Sequence, residues 1–130
     1  MDLVGDRWSL LILRDAFDGT RSFIDFQRRL GIAKNILADR LRRLVDDGVL
    51  NKQTAASGKR QEYVLTDAGQ QLYTVLLALR QWGETNAFGS GEPHSVLVDD
   101  ETGAPVPTLR VHRQDGTALT AANTHVEKLS

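Results

Sequence analysis

The sequence predicts a mainly helical α+β fold, in which several helices surround a small β-hairpin and a short β-rich tail follows. Three observations support this class. Apolar residues recur at helical spacing in four segments before residue 88, and one alternating stretch interrupts them. After a Gly-Ser-Gly stretch at 89–91, the apolar residues form short runs instead. We therefore predict a main domain over residues 1–88 and a small β-rich extension over residues 89–130.

The first two helices are predicted from apolar patterning and from residues that favour helix ends. Residues 3–18 are apolar around most of a helix circumference, which is typical of a central, buried helix. Gly19 interrupts this pattern, and Ser22 is then the expected N-cap of a short helix that ends near Gly31. The N-terminal part is therefore expected to be a pair of helices.

A third helix is predicted over residues 34–47. Leu37, Leu41 and Leu44 repeat there at helical spacing and form one buried stripe. Gly48 is the expected C-terminal cap, because glycine readily adopts the left-handed conformation that ends many helices. With its leucines buried, this helix must turn its polar side chains outward.

A hairpin and a long helix are predicted next. Residues 49–53 and 59–65 favour two β-strands joined by a flexible, basic tip. Thr66 is the expected N-cap of a long helix over residues 66–88. The predicted inner stripe of that helix consists of Leu72, Val75, Leu76, Leu79 and Gly83, with Trp82 at its edge.

The formal net charge of −1 hides an uneven distribution of charge along the chain. Between Arg21 and Arg60, ten basic residues accompany four acidic ones, so this part carries +6 and the remainder −7. A basic middle flanked by acidic ends is typical of a small DNA-binding unit. A solvated helical surface is the alternative explanation.

Three helices, a basic hairpin and a further helix follow one another in the order of a winged helix-turn-helix protein, whose third helix enters the major groove. On that helix, Asn35 suits adenine and Arg42 suits guanine, because each can form two hydrogen bonds to one base edge. Asp39 is expected to pair with Arg43, and solvated ion pairs are the alternative for the whole face. The candidate phosphate contacts are Lys34 near the helix start and Lys59 and Arg60 at the hairpin tip.

Five motifs run in order through the first two thirds of the chain. They are GDRWSLLILRD (5–15), FIDFQR (23–28), LADRLRRL (37–44), GVL (48–50) and YVLTDAG (63–69). In order and spacing these motifs resemble those of the HxlR family of bacterial winged-helix regulators. The resemblance covers about residues 3–82.

The resemblance implies a homodimeric transcription factor that binds double-stranded DNA at a palindromic operator. It implies recognition positions at Lys34, Asn35, Ala38, Asp39 and Arg42, and wing positions at Lys59 and Arg60. Many members carry an N-terminal helix with a sensor cysteine, whereas this sequence starts close to the Trp8 helix and contains no cysteine. We therefore expect no thiol sensing. Ala33 replaces the hydroxyl residue that often caps the recognition helix, at a cost of about 1 kcal/mol.

Apolar residues near the last helix suggest a dimer surface or an effector site. Tyr73, Leu77, Trp82 and Phe88 form a strip that either a second subunit or the β-rich tail would cover, and we favour the homodimer. A further hypothesis is a pocket for a small-molecule effector, lined by Trp8, Phe17, Tyr73, Leu77 and Trp82. A filled core and dimer seam are the alternative for these residues.

Several other classes of protein lack support in the sequence. It contains no Gly-rich phosphate loop and no nucleophile elbow, and its three histidines lack the spacing of a helical zinc motif. We therefore predict no enzyme activity, no cofactor and no metal. The sequence shows neither a membrane-spanning apolar run nor a signal peptide, which predicts a cytoplasmic protein. The alternative function is a protein-interaction module on the same scaffold, whose acidic tail contacts a partner.

Overall fold

The computed structural model describes residues 6–86 and 95–129. Its elements are α1 (Arg7–Phe17), α2 (Phe23–Leu30), α3 (Lys34–Asp46), β1 (Leu50–Thr54), β2 (Gln61–Leu65), α4 (Asp67–Gln70) and α5 (Tyr73–Asn86). The predicted α+β class is confirmed. The chain divides into two compact units, Met1–Leu76 and Leu77–Ser130. Among the described helices, none has the length and apolar character needed to cross a bilayer.

The first two helices begin at capped residues. Asp6 is the N-cap of α1 and accepts a hydrogen bond from the backbone amide of Ser9 at 3.3 Å. Ser22 caps α2 as predicted, and its Oγ accepts from the amide of Asp25 at 3.1 Å. Gly31 ends α2 with a φ of +63°, which confirms the predicted boundary. Residues 3–5 of the predicted first helix lie outside the described residues.

The core of the first unit lies where α1, α2, α3 and the start of β1 meet. Its buried apolar residues are Ile12, Leu13, Phe26, Ile32, Leu37, Leu41, Leu44, Val49 and Leu50. α1 is central as expected, although Leu10 and Leu11 on its outer side are only half-buried.

α3 follows the predicted pattern closely. Leu37, Leu41 and Leu44 are its buried residues and face the core. Gly48 follows the helix with a φ of +78°, the left-handed conformation expected of a C-terminal glycine. The N-cap residue, Ala33, makes no side-chain hydrogen bond to the first turn. The helix is therefore anchored by its leucines and not by a cap.

β1 and β2 form the predicted hairpin. They pair antiparallel from Leu50 opposite Leu65 to Thr54 opposite Gln61. Leu50 is buried, whereas the rest of β1 is exposed, so the hairpin leaves the core and enters solvent. Gly58, with a φ of +75°, lies in the loop that joins the two strands.

A single β-bridge joins the segment before α2 to the two-stranded sheet, and the sequence did not predict it. Ser22 forms an isolated antiparallel bridge with Glu62, and the amide of Tyr63 donates to the carbonyl of Arg21 at 2.8 Å. The segment between α1 and α2 therefore supports the outer side of β2.

The single long helix predicted from Thr66 is instead two helices. Thr66 caps α4 as expected, with its Oγ1 accepting from the amide of Gly69 at 3.0 Å. The same hydroxyl donates to the carbonyl of Gly48 at 2.6 Å, which ties α4 to the end of α3. A methyl group on Gly69 would collide with the carbonyl oxygen of Val49, so α4 lies close to the loop after α3. Between α4 and α5 the amide of Leu72 donates to the carbonyl of Gly69 at 3.0 Å, which forms a tighter turn than an α-helix. α5 then begins at Tyr73.

The exposed face of α5 differs from the predicted one. Val75, Leu79 and Trp82 are 44%, 49% and 66% exposed, although Val75 and Leu79 were expected to face inward. Leu77, which was expected to be apolar surface, is half-buried. Polar contacts explain the difference. The side chains of Arg80 and Gln81 face the tail, where they donate hydrogen bonds to the carbonyl groups of Ser95 and Pro107. Apolar periodicity does not detect a helix face of this kind.

The described part of the tail contains two tight hairpins, each with one isolated antiparallel β-bridge. The bridges are Val98 to Pro105 and His112 to Ala118. Oδ1 of Asp99 accepts from the amide of Glu101 at 2.8 Å in the first turn. Asp115 plays the same part in the second turn, where it accepts from Thr117 at 2.9 Å. The predicted turn signals at 99–103 and 115–116 are confirmed.

Candidate nucleic-acid interface

The outer face of α3 carries the helical residues predicted to contact DNA. Opposite the buried leucine stripe, the helix exposes Lys34, Asn35, Ala38, Arg42 and Arg43. Asp39 lies among them, and 29% of its side chain is accessible. The structure thus places the predicted residues of α3 together on the solvent-exposed half of one helix.

Asp39 contacts three arginines of its own helix. Its Oδ1 lies 2.7 Å from Nη2 of Arg42, and its Oδ2 lies 3.0 Å from Nε of Arg43 and 2.7 Å from Nη1 of Arg40. The predicted pair with Arg43 is present, whereas the other two contacts were not predicted. The hydrogen bond from Arg42, aided by Arg43 and Arg40 against the effect of desolvation, holds the pKa of Asp39 below its ordinary value of 3.8.

Arg40 connects this cluster to the start of α1. Its Nε lies 3.0 Å from Oδ2 of Asp6, the N-cap residue of α1. Burial raises the pKa of Asp6, but hydrogen bonds from Ser9 and Arg40 outweigh it, so the pKa lies below 3.8. Sequence reasoning missed Arg40, because its partner is distant in the chain and its position borders the leucine stripe. We call the linked residues Asp6, Arg40 and Asp39 the acidic bridge.

The hairpin supplies cations that are not held by carboxylates. Lys59 and Arg60 are exposed in the loop between β1 and β2, as predicted. Lys52 on β1 places its Nζ 5.9 Å from the centre of the Tyr63 ring. Within residues 6–86 and 95–129, Lys34, Lys59 and Arg60 form no ion pair, so their charges face solvent. Such cations suit phosphate groups.

A buried carboxylate joins the two helices that support α3. Asp15 of α1 is fully buried, and its Oδ1 lies 3.2 Å from Nη2 of Arg14 and 3.5 Å from Nη2 of Arg29 on α2. Arg29 also contacts Asp18 at 3.3 Å. The pairs that Arg29 makes with Asp15 and Asp18 join α2 to α1 and to its C-cap residue. The sequence offered no signal for them beyond the presence of the acid in an apolar helix.

The residues predicted to line an effector pocket lie in different parts of the chain. The rings of Phe17 and Tyr73 meet edge to face, with 5.7 Å between their centres. Trp8 is half-buried, and Cζ of Arg7 lies 5.7 Å from the centre of its ring. Leu77 and Trp82 belong to the second compact unit, where Leu77 lines a small cavity with Arg80, Gln81, Val96 and Pro105. The pocket therefore stays a hypothesis.

All three histidines of the sequence fall within the tail, at positions 94, 112 and 125. His94 lies outside the described residues, and His112 takes part in the second tail hairpin. In the part of the chain that the structure describes, no group of three or more His, Asp or Glu side chains is arranged to hold a metal ion.

The arrangement of the first unit defines the class of protein. A buried three-helix core presents one helix with a basic outer face, and a hairpin with a basic loop follows it. This is a winged helix-turn-helix, the architecture of many transcription regulators. The chain belongs to the HxlR-like helix-turn-helix family, whose model matches residues 3–89. The resemblance seen in the sequence motifs is thereby confirmed.

Similar proteins extend this comparison. The sequence is 51% identical to that of PA1607, whose crystal structure is described as that of a candidate transcription factor. The two structures superpose with a TM-score of 0.93, over 98% of this chain and 89% of PA1607. The HTH-type transcriptional regulator YtfH of Escherichia coli, named as uncharacterised, is 35% identical over 78% of each chain. The regulator Mb3122 of Mycobacterium bovis, likewise named as uncharacterised, is 46% identical over 65% of this chain. The chain spans 54% of that relative's length.

Proposed function

We propose that this protein is a sequence-specific DNA-binding transcription regulator that acts as a homodimer on a palindromic operator. In this proposal α3 enters the major groove and the loop between β1 and β2 contacts the DNA backbone. The observation that carries it is the division of α3 into a fully buried leucine stripe and an exposed face with Arg42 and Arg43. Residues 1–88 then form the DNA-binding domain, and residues 89–130 an extension.

The length of the exposed face supports this role. Asn35 and Arg42 are separated by about two helical turns, or about 10 Å along the axis of α3. That distance matches about three base-pair steps of B-DNA, at about 3.4 Å each. Arginine can donate two hydrogen bonds to guanine, and asparagine can bond adenine with its donor and its acceptor. One helix can therefore contact several successive base pairs.

Phosphate contacts are assigned to the cations without carboxylate partners. Lys34 lies in the first turn of α3, where Ala33 leaves the backbone amides without a side-chain cap. Helix N-termini of this kind attract phosphate oxygens. Lys59 and Arg60 on the hairpin loop would contact the backbone further along the duplex.

A second copy of the chain is the partner that we assign to α5. Its exposed apolar residues are Tyr73, Val75, Leu79 and Trp82. A two-fold dimer through such a face would place the same patch of both copies in contact. Two recognition helices would then lie about 34 Å apart, which is the spacing of a palindromic operator.

In this proposal a small molecule, and not thiol oxidation, regulates DNA binding. No cysteine occurs in the sequence, so the chain has no thiol that an oxidant could modify. The apolar residues Trp8, Phe17 and Tyr73 are the starting point for a search. A thermal-shift screen checks this assignment, and a broad screen in which no compound raises the melting temperature would contradict it.

The function is tested by mobility shift with DNA from around the protein's own gene, at two salt concentrations and beside an unrelated duplex. We expect salt-sensitive binding that prefers the gene-proximal DNA and is lost in Arg42→Ala. Arg113→Ala, which removes an exposed arginine of the tail, is the matched control and should bind normally. Weak binding that is equal for both duplexes and all variants would contradict the proposal and favour the interaction-module alternative.

A further inference from the structure

The acidic bridge gives the arginines of α3 an unusual arrangement. Arg40, Arg42 and Arg43 all contact the carboxylate of Asp39, whose two oxygens lie 2.7 to 3.0 Å from guanidinium nitrogens. Three of the roughly four lone-pair positions that a carboxylate offers are therefore directed at arginines. The carboxylate thus makes most of its contacts with neighbouring arginines.

The contacts leave parts of both guanidinium groups available. Asp39 holds Arg43 through Nε, so both terminal nitrogens of that group can still donate. It holds Arg42 through Nη2, and the Nη1 of Arg42 lies 3.7 Å from Oδ2 of Asp46. Both side chains are more than half exposed, at 64% for Arg42 and 58% for Arg43. Asp39 thus holds one nitrogen of each arginine closely, while the Nη1 of Arg42 makes only the longer contact with Asp46.

Asp39 is itself held in place. The Nη1 of Arg40 donates to its Oδ2, and the Nε of Arg40 contacts Asp6 at the start of α1. Only 25% of the Arg40 side chain is accessible, so this link is packed against the protein. The orientation of Asp39 is therefore set by α1 as well as by α3.

We propose that Asp39 is a specificity-determining positioning residue, which orients Arg42 and Arg43 towards base edges and weakens attraction to non-specific DNA. The proposal rests on the proposed function. Oriented guanidinium groups lose less conformational entropy when they bind a guanine. The negative charge meanwhile opposes the phosphate backbone, which supplies most of the affinity for unrelated sequences. Both effects favour the operator over other DNA.

The experiment uses the full chain and a duplex that the wild-type protein selects from a random pool. Dissociation constants are measured for this duplex and for a scrambled one of equal composition, over a range of salt concentrations. For Asp39→Asn we expect tighter binding of the scrambled duplex, a salt dependence steeper by about one unit, and a selected-to-scrambled ratio reduced at least about tenfold. Asp39→Glu, which keeps the carboxylate, should restore most of the ratio.

Asp46→Asn is the matched control, because it removes the same charge from the same helix. Among the described residues, Asp46 contacts a single arginine, Arg42, and at the longer distance of 3.7 Å. Its ratio should stay within about twofold of wild type, since the pair is exposed and weak. Melting curves establish that each variant is folded, and Asp39→Ser replaces Asp39→Asn if the amide variant is not. An unchanged ratio in the folded Asp39 variant, or an equal loss in Asp46→Asn, would overturn the inference. A wild-type protein that selects no sequence would instead overturn the proposed function.

Discussion

The Nε of Arg40 lies 3.0 Å from Oδ2 of Asp6, which joins the middle of α3 to the N-cap of α1. The two residues are far apart in the chain, yet the contact connects the helix with the exposed basic face to the central helix of the core. Asp39 extends the link to Arg42 and Arg43. The candidate DNA-contacting face is therefore held by charge as well as by its leucines.

Replacing Asp6 with asparagine should lower stability in a pH-dependent way. Asparagine caps helices as well as aspartate does, so the change mainly removes the ion pair with Arg40, at a cost of about 0.2 to 1 kcal/mol near neutral pH. The pKa of Asp6 is lowered in the folded chain, so its stabilising effect is present above 3.8 and is lost as the pH falls through the folded-state pKa. Urea unfolding of both proteins at about pH 7 and about pH 3 should therefore show a difference that shrinks in acid. A difference that stays constant would contradict the prediction.

Replacing Leu41 with alanine should destabilise the protein strongly. Leu41 is fully buried in the core, and such truncations cost about 2 to 5 kcal/mol because a cavity remains. Ile24→Ala is the control, because Ile24 is 57% exposed and its loss should cost much less. Urea unfolding followed by circular dichroism measures both. Similar losses for the two variants would contradict the burial of α3.

Replacing Ala33 with serine should stabilise α3. Ala33 has φ −62° and ψ 141°, the extended conformation of an N-cap, and it makes no capping hydrogen bond. A serine hydroxyl there should contribute about 0.5 to 1 kcal/mol and raise the melting temperature. Ala38→Ser is the matched control, because a serine within α3 caps nothing and slightly lowers helix propensity. Equal shifts for both variants would show that capping is not the cause.

Replacing Gly69 and Gly83 with alanine should change the stability of the protein in opposite directions. A Cβ on Gly69 would collide with the carbonyl of Val49 and lie 3.1 Å from Cδ2 of Leu65, so Gly69→Ala should cost about 1 to 3 kcal/mol. Gly83 lies within α5 with nothing within 4 Å of its added Cβ, so Gly83→Ala should stabilise by about 0.4 to 1 kcal/mol. Thermal unfolding compares them directly. A neutral Gly69→Ala would contradict the close approach of α4 to the loop after α3.

Under the proposed function, Arg42 and Lys59 should affect DNA binding differently. Arg42→Ala should weaken binding of the preferred duplex by about 1 to 3 kcal/mol and reduce discrimination between duplexes. Lys59→Ala should weaken binding of all duplexes alike and lower the salt dependence by about one unit. Fluorescence anisotropy titrations at several salt concentrations separate the two patterns. A loss of discrimination in Lys59→Ala would contradict the assignment of the hairpin loop to phosphate.

Much of the first unit follows from local signals in the sequence. Ser22 and Gly31 bound α2, and the leucine spacing defines α3, because capping and periodicity involve residues within one or two helical turns. The hairpin and the exposed basic residues of α3 could be predicted for the same reason. These signals predicted the element order of a winged helix-turn-helix, and the resemblance of the sequence motifs indicated the family.

The tertiary structure alone decided how these elements meet. The division into α4 and α5 and the close approach of Gly69 to Val49 were not predicted, and neither were the partners that Arg80 and Gln81 find in the tail. The contact between Asp6 and Arg40 joins residues that no local pattern connects. Helix ends and buried stripes thus depend on residues that are close together in the sequence. Ion pairs and close approaches between distant segments arise only when the chain has folded, because they depend on distances that sequence spacing does not determine.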